Sequence, residues 1–227
     1  MVPGNGIWQL LYHSDLVTHA VLLTLLVLSV VCWSIFFYKL TIWHIKSRQL
    51  KNALFQMKHA QSLEDVLHIT SKFSKTMPGY FLSKGLKYLK SLLTTDEGPK
   101  ENLSDREWGM LEHMISQLID SVLHREETFV PLLGATVAAA PLLGLFGTVW
   151  GLVTAFMDIS TKQAADITVV APGIAQALST TVAGLLVAIP ALAMFYYLNL
   201  QMRKMEQQLN VLADKLLWLA QRLFPQT

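Results

Sequence analysis

Aspartate, glutamate, lysine and arginine are absent from the three longest apolar runs of this 227-residue chain, Leu16 to Tyr38, Ala138 to Phe156 and Val169 to Met194. Those runs therefore lack the carboxylates that usually relay protons inside a membrane, and His19 is their single residue of a type that titrates near neutral pH. Cysteine is nearly missing as well. The lone Cys32 lies inside the first run, which excludes a disulfide framework and a thiolate cluster for metal. Charged residues make up 15% of the chain, where a soluble domain carries roughly 25%. The net charge of +2, with no basic cluster interleaved with aromatics, gives no footprint for nucleic acid. The first fifteen residues contain no Lys or Arg, so the first run reads as a retained anchor and not as a cleaved signal peptide. The seven histidines (His13, His19, His44, His59, His68, His113, His124) show no metal-ligand spacing and no Cys pair, so neither a metal, a cofactor nor an enzymatic reaction is expected. GLFGTVWG is glycine-rich but lacks the lysine of a phosphate-binding loop.

What remains is apolar length. About 20 apolar residues cross the ~30 Å hydrocarbon core, and each of the three runs is close to or beyond that. The chain is expected to be an all-α membrane protein with spans at 16–38, 129–157 and 169–200. The aromatics Trp33, Phe36, Phe37 and Tyr38 close the first span as an interfacial belt, with His19 near the opposite surface. Residues 39–128 form a polar loop holding 13 of the 18 Lys and Arg residues. The flanking Lys39, Lys46 and Arg48, and later Arg203 and Lys204, put this loop and the 201–227 tail in the cytoplasm. The 1–15 segment and the 158–168 link then fall on the extracytoplasmic side.

Within the loop, Ser62 with Asp65 and Ser104 with Glu107 have capping-box spacing, and Pro78 and Thr94 to Ser104 mark breaks. Leu111, Ile115, Leu118 and Val122 form one helical face, expected to run on into the second span. From Val130 to Met157 a helix would be about 42 Å long, more than the membrane requires. A heptad follows the third span: Met202, Met205, Leu209, Leu212, Leu216, Leu219 and Leu223. It suits either a seam between subunits or packing against the chain's own loop helices.

The second and third spans are rich in small residues. Ala140, Gly144, Gly147, Gly151 and Ala155 recur at helical spacing in one; in the other, Gln176, Thr180 and Gly184 form a ridge beside Ala177, Thr181 and Ala188. Such ridges suit close helix packing, with hydroxyls bonded back to their own helix. They equally suit a polar lumen wall at Thr148, Thr180, Thr181 and Gln176. Hydroxyls and amides do not titrate near neutral pH. If the chain forms a proton path, the titrating group comes from another chain.

At these residues the sequence resembles the TolQ/ExbB/MotA family of inner-membrane proton-channel proteins. Ala140 to Phe156 and Val170 to Leu192 follow its two hallmark blocks, and the order of elements agrees over the whole chain. Length and the direct start into the first span are most like the TolQ branch, with ExbB close behind. The resemblance implies a homopentamer whose second and third spans line a pore. That pore would hold two copies of a single-span TolR- or ExbD-like subunit carrying a membrane Asp, with force passing to a TolA- or TonB-like protein. Thr148 and Thr181 match threonines the family places around that Asp. Pro141, Gly144, Pro172 and Pro190 would shape the helices, and Gly147, Gly151, Gly173 and Gly184 would pack them. One departure stands out, GIAQAL in place of the usual GIAEAL, which puts Gln176 where the family commonly has Glu. A non-conducting pentameric scaffold and a Ton-type rather than Tol-type energiser are the alternatives; three spans without an inverted repeat disfavour a secondary transporter.

Overall fold

The computed structural model describes residues 15–95, 98–99, 102–162 and 167–224. The expected outer segment before Asp15, the centre of the 158–168 link and the last three residues of the tail lie outside the described residues. Among the described residues six helices carry the fold: α1 (Leu16–His59), α2 (Leu63–Lys72), α3 (Met77–Leu93), α4 (Asp105–Glu127), α5 (Val130–Lys162) and α6 (Ile167–Leu223). A two-residue antiparallel pairing, β1 (Thr94–Thr95) with β2 (Gly98–Pro99), closes the turn after α3. Three helices, α1, α5 and α6, are long and apolar enough to cross a membrane. The chain divides into two compact units: one holds the chain up to Tyr38 with Phe129–Leu198, the other Lys39–Thr128 with the chain from Asn199.

The polar unit is assembled from local signals. Ser62 accepts from the Asp65 amide while Asp65 accepts from the Ser62 amide, closing one capping box; Ser104 and Glu107 close the other. Backbone N–H groups of Gln61 and Ser62 hold the Asp65 carboxyl below its ordinary range. Pro78 sits in the first turn of α3, where its missing N–H has no helical acceptor to lose. Gly79 is required by close approach, since a Cβ there would lie 1.9 Å from the Phe73 carbonyl oxygen. The predicted face of α4 is buried at all four positions, Leu111, Ile115, Leu118 and Val122. The heptad of α6 also turns inward: Met205, Leu209, Leu212, Leu216 and Leu219 are buried within the chain, with Leu216 against Gly85 of α3. Met202 is half-buried and Leu223 exposed. The heptad is therefore a seam within one subunit.

The expected continuation of α4 into the second span is corrected. α4 ends at Glu127, Phe129 adopts a positive φ of 71°, and α5 starts at Val130. The cause is Pro131, whose ring would collide with the Glu127 carbonyl in a continuous helix. A bulky residue at positive φ is strained, and the chain accepts that strain at an exposed corner. Beside it, buried Lys39 donates to the Glu126 carbonyl at 2.6 Å, and Lys46 pairs with the Glu126 carboxylate at 2.5 Å. Burial pushes the Lys39 ammonium below its usual pKa, Lys46 adds to that shift, and Glu126 opposes it. A buried ammonium needs such acceptors, which makes Glu126 the clamp between α1 and the end of α4.

The apolar unit buries little of itself. Val21, Leu25, Ala140 and Ala188 form its core with Leu143, Ala183 and Val187 packed on it. Only 17% of the apolar window of α1, and 28% of those of α5 and α6, is buried. On α5 the residues Leu142, Phe146, Val149, Val153 and Phe156 stay exposed, as do Leu178, Val182, Leu185, Leu186 and Ile189 on α6. Apolar surface of this extent demands lipid or other protein. α5 runs to Lys162 and α6 starts at Ile167, so helix occupies most of what was read as the 158–168 link.

Candidate functional site

The small residues of α5 and α6 meet face to face inside one chain. A Cβ on Gly144 would lie 2.8 Å from the Thr180 carbonyl oxygen and 3.0 Å from the Thr181 Cα. One on Gly184 would lie 2.6 Å from the Ala140 carbonyl oxygen, and one on Gly151 2.7 Å from the Ala177 Cβ. Gly147 sits under the Thr180 side chain, and a Cβ on Gly173 would stand 3.1 Å from that of Ala155. The glycines thus let two backbones touch at van der Waals distance, as small-residue helix pairs in membranes do.

The threonines divide by position on this contact. Thr180 is fully buried; its hydroxyl lies 2.7 Å from the Ala177 carbonyl and 3.0 Å from that of Gly144. It fills the contact between the helices, and within the chain it presents no surface to a lumen. Thr181, about 100° further round the helix, is half-buried at the edge of the contact. Its hydroxyl can donate to the Gly144 carbonyl at 3.3 Å or to Thr148 Oγ1 at 3.4 Å. Thr148, buried behind that edge, donates its own proton to the Leu145 carbonyl at 2.7 Å, which leaves its oxygen as an acceptor toward Thr181. Hydroxyl bonds normally lie near 2.7–2.8 Å, so both options of Thr181 are long and loosely held. Such a hydroxyl can turn to donate to an incoming carboxylate, or accept from its protonated form.

Gln176 is half-buried one turn before Thr180, and its backbone carbonyl accepts from Ser179 at 2.6 Å. Pro141, Pro172 and Pro190 all lie inside helices, each removing one backbone N–H from the ladder and freeing the carbonyl four residues earlier. Among the described residues, no group of three or more His, Cys, Asp or Glu could hold a metal ion. Two contributors escaped the sequence reading. Asp15, just ahead of α1, accepts from the Trp150 indole N–H at 3.1 Å and so ties the start of α1 to α5. Its position before the first apolar run was the available signal. The Lys39–Glu126 contact had none, because Lys39 reads from sequence as an ordinary flanking charge.

Comparison with known proteins decides the family. The MotA/TolQ/ExbB proton channel family matches residues 74–211, more than half of the chain and both small-residue helices. The chain belongs to this family. It is 31% identical over 223 residues to the biopolymer transport protein ExbB of Salmonella typhimurium, covering 98% of this chain and 89% of that protein. It is 29% identical over 219 residues to the Tol-Pal system protein TolQ of Haemophilus influenzae, covering 91% of this chain and 90% of that one. Relatives bearing the two names lie at almost equal identity, so the leaning toward the TolQ branch gains no support from them.

Proposed function

We propose that this chain is the wall-forming subunit of an inner-membrane proton-driven energiser. It assembles as a homopentamer, with its N-terminus in the periplasm and its C-terminus in the cytoplasm. Around two copies of a single-span TolR- or ExbD-like partner it lines a proton path with the Thr148 and Thr181 edge of α5 and α6. The partner's membrane Asp is the titrating group, and the neighbouring hydroxyls solvate it in both protonation states. Force passes to a TolA- or TonB-like protein of a Tol-Pal or TonB-type system. The observation that carries this reading is the loosely held Thr181 hydroxyl against Thr148, on two helices whose apolar stretches contain no acid. One charge crossing ~100 mV releases about 2.3 kcal/mol, so several protons per mechanical step supply useful work. The decisive assay is proton flux in liposomes holding this chain and its partner under an imposed gradient; a tight membrane with both subunits present would overturn the proposal.

A non-conducting scaffold is the second reading, and Gln176 is what favours it. Gln keeps the size and hydrogen bonding of the Glu common at this place in the family, without charge or protonation. Because the partner Asp suffices as the obligatory site, Gln176→Glu is expected to leave flux within about twofold and to change its pH profile little. That range is small beside the tenfold per 1.4 kcal/mol of a lost interaction. Conversion of a silent pair into a conducting one by this single change would establish the scaffold instead.

A further inference from the structure

The polar unit carries a groove that the proton path does not use. On α1, Lys51, Leu54, Phe55 and Lys58 recur at the spacing of one helical face. On α6, Lys204, Val211 and Lys215 do the same, and the two faces enclose a cavity of about 400 Å³. A second cavity of about 150 Å³ adjoins it through Lys51 and Lys204, and is lined in addition by Trp43, Ser47 and Gln201. No carboxylate lines either cavity. The recorded salt bridge, Lys46 with Glu126, involves none of the four groove lysines, and of these the Lys215 ammonium lies 5.2 Å over the Trp218 ring, in a chain whose net charge is +2. Phe55 is 65% exposed on the groove floor. Trp43 is 95% buried, and its indole N–H has no acceptor. Buried donors are rarely left unmatched.

We infer that this groove binds an acidic, apolar-studded peptide segment of a partner protein. Its carboxylates pair with Lys51, Lys58, Lys204 and Lys215, its apolar side chains cover Leu54, Phe55 and Val211, and one of its carbonyl or carboxylate oxygens accepts from Trp43. Length selects the occupant. Trp43 to Lys58 spans about 22 Å at 1.5 Å per residue, the reach of about seven residues of extended chain. A free phosphate fills one end only and leaves the apolar floor bare. A bilayer surface is flat and does not enter a recess to reach Trp43. The inference stands apart from the proton path and survives its failure.

The test uses the full-length protein in neutral detergent and a fluorescein-labelled peptide of about eight alternating Glu and Leu residues, long enough for the groove. Binding is read by anisotropy. The expected result is salt-sensitive binding that weakens about tenfold in the Lys51→Glu, Lys204→Glu double variant, both residues being exposed and free of packing roles. Trp43→Phe, which keeps an aromatic six-membered ring and removes the donor, weakens it about threefold. A peptide with Gln in place of Glu binds weakly or not at all. Equal binding of both peptides, or of the double variant and the parent, overturns the inference. So does displacement of the acidic peptide by inorganic phosphate or phosphatidylglycerol vesicles at equal anion concentration, and so does lysine-dependent association of two copies of the chain in place of peptide binding.

Discussion

Thr181→Val is expected to cut proton flux through the assembled complex by about tenfold or more while leaving assembly intact. Valine matches threonine in shape, so the contact with α5 keeps its packing, and the one hydrogen bond lost, to either acceptor at 3.3 or 3.4 Å, is a long one that contributes little to stability. The effect falls on the guest. Hydrogen bonds to charged groups are worth about 1.5–3 kcal/mol, and every 1.4 kcal/mol is tenfold. Without the hydroxyl, an ionised partner carboxylate beside α6 loses a donor. Thr148→Val is expected to act in the same direction, since it removes the acceptor that orients Thr181. Thr180→Val separates the roles: its hydroxyl bonds only to carbonyls within the chain, so the loss is one of stability and not of flux. Flux per correctly assembled complex, measured in liposomes for all three variants, checks this ordering. Equal flux in the Thr180 and Thr181 variants would remove the distinction between wall and filler.

Gly184→Val is expected to abolish the folded complex. Its Cβ would lie 2.6 Å from the Ala140 carbonyl oxygen and 3.1 Å from the Gly144 Cα, and both obstacles are backbone. Neither can yield unless α5 and α6 move apart, which breaks the contacts of Thr180 and Ala177 at the same time. Even Gly184→Ala is expected to cost about 1–3 kcal/mol, as overpacking typically does. Gly109 on α4 supplies the control: a Cβ there meets nothing within 4 Å. Gly109→Ala is therefore expected to be neutral or to stabilise by about 0.5–1 kcal/mol through helix propensity. Thermal unfolding followed by circular dichroism in detergent, with size-exclusion profiles, distinguishes the pair.

Local signals were legible in the sequence wherever a short-range rule operates. Both capping boxes, the helix break beside Pro78, the buried face of α4 and the small-residue ridges followed from local signals alone. The break between α4 and α5 also had a short-range cause in Pro131, but an uninterrupted apolar period masked it. Less legible were features set by which faces of two helices meet. Thr180 and Thr181 are neighbours in sequence with identical chemistry; one is sealed between helices and the other stands at the edge because Gly144 and Gly147 admit one face of α6 and not the next. The heptad of α6 suited two partners, its own chain's loop helices more than a second subunit, and the buried packing of Leu216 against Gly85 goes with the former. Lys39 with Glu126 and Asp15 with Trp150 join residues 87 and 135 positions apart, which no local pattern encodes.

The central claim is that this chain supplies the wall of a proton path and another subunit supplies its carrier. Proton flux into liposomes under a fixed membrane potential tests it most directly, comparing this chain alone, this chain with its single-span partner, and the same pair with the partner's membrane Asp replaced by Asn. The account predicts flux only from the second preparation, because the apolar stretches of α1, α5 and α6 contain no acid. Sustained flux from this chain alone, or from the pair lacking that Asp, would contradict it.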